Sequence, residues 1–288
     1  MNSQHKITRQ KQTSLSKLTY NKLLRLFNKE NAVYNHYEKA GKVKSTFKKS
    51  CYLVSYLLPG IAAYILINLE FVYNGLTAFF GLNGYDFQYY TFVIFTLGWH
   101  IAFPVLMLRK NDGLEWKEIP KFLSLDRFSL KEILVAAPVA FALSVLLSLP
   151  YMVMVYIPFQ SWLNSITIFQ IPTYSIFASY EAFYGAPVFI LIMMMVGNFI
   201  GEEIYFRGYL MKKTSFLGKY NWLVGSVLFC IYHLWQIPQT WPLIVPFLFF
   251  GLTMQLRKNL YTMIAFHIFF NLAGVQIYHL ILGLGPVQ

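Results

Sequence analysis

Charge is scarce in this chain. Asp, Glu, Lys and Arg make up 12% of its 288 residues, about half the share usual in a soluble domain. Hydrophobic residues reach 57%, aromatics 19%, and mean hydropathy is +0.47. One soluble core of this size cannot hide that much apolar surface, so lipid is the expected solvent. Cysteine is nearly absent as well. Cys51 and Cys230 fall at a membrane edge and inside an apolar run, positions that suggest neither a disulfide framework nor a metal cluster; both read as small apolar residues. HExxH is missing, which removes the commonest zinc-protease signature. A secretory signal peptide is not expected, because roughly fifty polar residues precede the first apolar run.

What is present is a series of long apolar segments. Crossing a hydrocarbon core of about 30 Å takes roughly 20 helical residues. The segments 51–69, 89–108, 132–157, 185–206, 221–237, 242–256 and 260–284 qualify as spans, the fifth and sixth being short. Pro238 and Pro242 favour a tight turn between those two. The expected fold is an all-α, polytopic transmembrane helix bundle of about seven spans, with eight as the alternative. The aromatic stretch 158–184 reads as an outer loop, a re-entrant piece or an interfacial helix. Three regions follow: a basic leader over 1–50, N-terminal transmembrane helices over 51–184, and a C-terminal set of helices over 185–284.

Charge placement orients the bundle. All 24 Lys and Arg residues fall within 1–50, 109–131, 207–220 and 257–258. The connections 70–88, 158–184 and 238–241 hold none. Threading the chain through these spans puts every basic residue on one side, which the positive-inside rule assigns to the cytoplasm together with the N-terminus. Within the leader, Leu15, Tyr20, Leu23, Leu24, Leu26 and Phe27 project on one half of a helix. Lys17, Asn21, Lys22, Arg25 and Asn28 project on the other, with Leu18 as the exception. The leader reads either as a tail that enforces topology or as an amphipathic helix for the anionic inner leaflet of a lipid bilayer. Nothing in it suggests base readout, so nucleic acid is not an expected partner.

Ionisable groups inside spans cost roughly 2.5–3.5 kcal/mol each on insertion scales. Three clusters carry that cost. The first is Gly201-Glu202-Glu203-Ile204-Tyr205-Phe206-Arg207, where Glu203 and Arg207 have the favourable spacing for a helical ion pair. Glu202 points about 100° away, free to serve as a general base. The second is Phe229-Cys230-Ile231-Tyr232-His233, with Gln236 one turn beyond as a candidate partner. The third is His267-Ile268-Phe269-Phe270-Asn271, which puts His267 and Asn271 on one face, suited to stabilising an oxyanion. Each cluster alone has a plain alternative: a helix end meeting headgroups, a packed histidine, or interhelical polar glue. Together they support amide hydrolysis by a water held between Glu202 and His233. Asn198, one turn before Glu202, is a candidate to orient it. His100 and His279 lack partners at useful spacing and read as packing or interfacial residues. Counted from the cytoplasmic span ends, Glu202, His267 and His233 lie about 8, 11 and 18 Å deep at 1.5 Å per residue, which leaves His233 deeper than the others.

In this order and spacing EExxxR, FxxxH and HxxxN resemble the three motifs of the CAAX protease and bacteriocin-processing family, also called CPBP or Abi. The resemblance covers about 190–275. It implies an intramembrane glutamic endopeptidase acting on a membrane-associated or lipidated protein or peptide. The chemistry would be that of CAAX processing, bacteriocin or pheromone maturation, or self-immunity. By the family pattern Glu202 is the base, His233 holds the water, His267 and Asn271 form the oxyanion site, and Glu203 and Arg207 support them. No cofactor is expected. A divalent metal such as zinc is the alternative, since such proteins were once classed as metalloproteases. The resemblance also implies a multi-pass protein of a bacterial plasma membrane. Two other classes compete: a catalytically silent scaffold or immunity protein, and a transporter whose polar residues line a path. A transporter would be supported by paired repeats or broken helices, and the sequence displays neither.

Overall fold

A computed structural model of the protein describes residues 48–166, 170–236, 241–274, 276, 277 and 280. The leader helix, His279, Pro238 and the side chain of Gln236 lie outside what is described. Among the described residues the regular structure is entirely helical, as lipid requires of a chain that must satisfy its own backbone. Four helices are long and apolar enough to cross a membrane: α1 (Lys49–Asn68), then, after the short α2 (Glu70–Phe80), α3 (Gly84–Lys110), α4 (Glu132–Trp162) and α5 (Val188–Lys213). Three shorter apolar helices follow, α6 (Asn221–Tyr232), α7 (Ile244–Arg257) and α8 (Leu260–Gly274). Large apolar side chains stand exposed along the long helices, among them Ile65, Ile94, Leu146, Met154 and Phe189, the face that lipid covers in a membrane protein.

Helix α5 is the most enclosed of the four. Of its apolar window 39% is buried, against 22–28% for the others. Helices α3, α6 and α8 pack against it, while α6 also meets α1 and α7, and α4 backs α7 and α8. Two glycines set the closest approach. A Cβ on Gly197 would lie 2.0 Å from the Thr96 hydroxyl oxygen, and one on Gly201 would lie 3.1 Å from the His100 Cβ. Gly-x-x-x-Gly thus lets α3 and α5 touch backbone to side chain just before the acidic pair.

The end of α5 differs from expectation. It continues seven residues past 206, to Lys213, because its two lysines bury their charge in the bundle instead of ending it. Lys212 donates to the Phe122 carbonyl and, at 2.6 Å, to the Ser124 hydroxyl. Lys213 pairs with Asp112. Burial pushes the Asp112 carboxyl above the ordinary carboxylate range, against the opposing pull of the Lys213 ammonium. Asn221 ties α6 to the same corner through Met211 and Thr214. Glu202 therefore lies eleven residues from the end of α5, about 16 Å at 1.5 Å per residue. His233 lies twelve residues from the start of α6, so the expected mismatch in depth between Glu202 and His233 disappears.

The stretch after α4 is neither a span nor a free loop. Gln88, fully buried at the start of α3, donates to the Tyr174 carbonyl and accepts from the Ile176 amide, both at 2.9 Å. Tyr174 stacks on Tyr73 of α2, and Phe177 meets Trp235 edge-on. This stretch caps the end of the bundle away from Lys213.

Candidate active site

The acidic pair sits where α5 widens into π-helical turns over Gly197–Gly201 and Glu203–Leu210. Such turns often mark functional sites. Here they also occur in α1, α3, α4 and α8, so they do not single this site out. Its side chains do. Glu203 is fully buried, and its Oε1 accepts hydrogen bonds from Arg207 Nη1 at 3.2 Å and His267 Nδ1 at 3.0 Å. The i,i+4 pair read from sequence is thus present, and a histidine of α8 joins it. Arg207 is itself buried, its guanidinium carbon 3.8 Å from the Phe229 ring centroid and 4.8 Å from that of Phe250. Cation–π contact with the two rings compensates a buried cation.

Glu202 points elsewhere, as its helical offset predicts. It is buried, and its Oε1 accepts from the Tyr232 hydroxyl at 3.3 Å. Arg207 and His267 lie within electrostatic reach of this carboxylate. Asn198 is not hydrogen-bonded to it. The neighbouring His233 closes α6, and its Nδ1 donates to the Phe229 carbonyl at 2.8 Å. A carbonyl only accepts, so Nδ1 carries the proton in the neutral ring and Nε2 presents a lone pair. Phe247 stacks on that ring with centroids 4.8 Å apart. His267 and Asn271 lie on one face of α8, and the Asn271 amide donates to the His267 carbonyl at 3.1 Å. One amide hydrogen of Asn271 remains for another acceptor.

The six polar motif residues thus come from three helices, and five of them, Glu202, Glu203, Arg207, His233 and His267, are buried. Sequence reasoning did not single out Tyr232 or Phe250, and it read His100 as a packing or interfacial residue. Tyr232 is the hydrogen-bond partner of Glu202, and Phe250 is the second aromatic ring against the Arg207 guanidinium. His100 of α3 is fully buried against Tyr205, Phe206 and Tyr232. Only Tyr232 carried a signal, since it adjoins His233 and one turn of helix separates it from Phe229. Among the described residues no group of three or more His, Cys, Asp or Glu has the geometry to hold a metal ion.

No curated protein and no solved structure matches the chain. Residues 184–273, which hold all seven residues of the three motifs, match the family model described as Type II CAAX prenyl endopeptidase Rce1-like.

Proposed function

We propose that the protein is an intramembrane endopeptidase that hydrolyses a peptide bond in a membrane-associated or prenylated protein or peptide, using water activated by Glu202. The observation that carries this reading is the buried carboxylate of Glu202, which among the described residues is bonded by a neutral hydroxyl alone while its neighbour Glu203 takes the cationic partners. A carboxylate kept out of ion pairing retains the basicity that proton abstraction requires.

In this mechanism a water lies between Glu202 and the Nε2 lone pair of His233. Glu202 takes one proton as the water oxygen attacks the scissile carbonyl carbon. Negative charge collects on the carbonyl oxygen, where His267 and the free amide hydrogen of Asn271 receive it. Because Nδ1 of His267 is directed at Glu203, Nε2 donates to the oxyanion only as an imidazolium, and Glu203 stabilises that charge. Arg207 holds Glu203 in place. As the carbon–nitrogen bond breaks, the protonated Glu202 returns its proton to the leaving amine. No step is routed through a metal.

The same reading takes the three shorter helices as spans, giving seven, with the N-terminus in the cytoplasm of a bacterial cell. Substrate then reaches the site from the cytoplasmic side or the inner leaflet. Purified protein in lipid vesicles should cleave a farnesylated CAAX peptide and leave its unprenylated counterpart largely intact. Absence of any new C-terminus on the prenylated peptide would overturn the assignment.

A further inference from the structure

We propose that His100 is a positioning residue of this site, holding a water against the Tyr232–Glu202 hydrogen bond and thereby fixing the Glu202 carboxylate. The inference rests on the protease reading above and extends it to α3, outside the three motifs.

His100 has no exposed surface, and among the described residues neither ring nitrogen has a hydrogen-bond partner. A neutral imidazole always carries one N–H and one lone pair, so two polar groups are left unmet in the middle of the bundle. Buried polar groups in native proteins are nearly always paired with protein or water. The surroundings give the ring no protein partner. Phe95 and Phe206 are apolar. The Tyr205 hydroxyl is already engaged, accepting from Trp99 Nε1 at 3.0 Å and donating to the Ser55 carbonyl at 2.7 Å. Tyr232 differs. Its hydroxyl donates to Glu202 and keeps lone pairs with which to accept. Its ring stands edge-on to the imidazole at 6.0 Å between centroids. A Cβ on Gly201, the residue before Glu202, would lie 3.1 Å from the His100 Cβ. Were the position only a matter of packing, phenylalanine would fill it without a desolvated donor and acceptor. A water donating to the Tyr232 oxygen and accepting from His100 satisfies the ring and fixes the hydroxyl that orients Glu202.

The test compares wild type, His100→Phe, His100→Gln and Glu202→Gln in the same vesicles. On the farnesylated peptide, His100→Phe should lower kcat about tenfold with KM unchanged, and His100→Gln should recover part of the loss. Thermal stability of His100→Phe should equal or exceed that of wild type, because an apolar ring removes the unmet groups. Full kcat in His100→Phe would overturn the proposal. So would a fall in stability that accounts for the lost activity. A second readout needs no substrate. Infrared spectra of wild type against Glu202→Gln assign the Glu202 carboxyl band, which His100→Phe should shift. An unmoved band overturns the role of His100 whatever the peptide does. If wild type leaves the peptide uncut, the protease reading fails, and the band alone decides His100.

Discussion

Replacing Arg207 by alanine should be among the most damaging single changes in the molecule, and the structure indicates how damaging. The substitution strands Glu203, whose side chain is fully buried and whose Oε1 then keeps only His267. Breaking a buried pair by removing one partner costs roughly 3–5 kcal/mol. Loss of the guanidinium's contacts with the Phe229 and Phe250 rings accounts for about 2 kcal/mol of the same total, because both figures describe one group. Arg207→Lys keeps the charge but loses the planar stack, and should cost about 1–2 kcal/mol. The informative variant is the double substitution Glu203→Gln with Arg207→Met. It leaves no orphaned charge and should be at least about 1 kcal/mol more stable than Arg207→Ala. Reversible unfolding in bicelles, followed by steric trapping, measures all four proteins. If Arg207→Ala unfolds within about 1 kcal/mol of wild type, or the double variant is the less stable, the buried-pair reasoning is wrong.

Three other outcomes follow from the geometry. Tyr232→Phe removes the one hydrogen bond that the Glu202 side chain makes among the described residues and should lower kcat about tenfold without changing KM, as a loss of carboxylate orientation would. Gly197→Ala should cost about 1–3 kcal/mol by overpacking against Thr96. Gly98→Ala, where an added Cβ meets nothing within 4 Å, should be neutral or mildly stabilising, and thermal denaturation separates the two. Lys213→Ala should cost about 3–5 kcal/mol by stranding Asp112, whereas Asp112→Leu combined with Lys213→Met should cost less than either single change; a double-mutant cycle checks it.

Much of the site is legible in the sequence because its chemistry is helical bookkeeping. Spacing of four fixes the Glu203–Arg207 pair, and the offset of Glu202 follows from the turn of the helix. What spacing cannot supply is the partner across a helix interface. Nothing in the order of residues announces that Glu203 also binds His267, 64 positions away, or that the Phe250 ring meets the Arg207 guanidinium. The fold follows the same division. Apolar runs locate the four long helices to within several residues, except at the C-terminal end of α5. There Lys212 and Lys213 look like cytoplasmic charge, and only their contacts with Phe122, Ser124 and Asp112 show them inside the bundle. Gln88 escaped notice for the same reason. A lone glutamine at a helix start carries no pattern, yet it pins the stretch that follows α4.

The central claim is that Glu202 is the base of a hydrolytic reaction, and one substitution tests it most directly. Glu202→Gln preserves shape and the Tyr232 contact but cannot accept the proton of water. Expressed beside wild type in the native membrane, with peptides and membrane proteins profiled in both, the variant should accumulate normally while the cleavage products of the wild type disappear. A variant that accumulates normally and yields the same products as wild type would contradict the account.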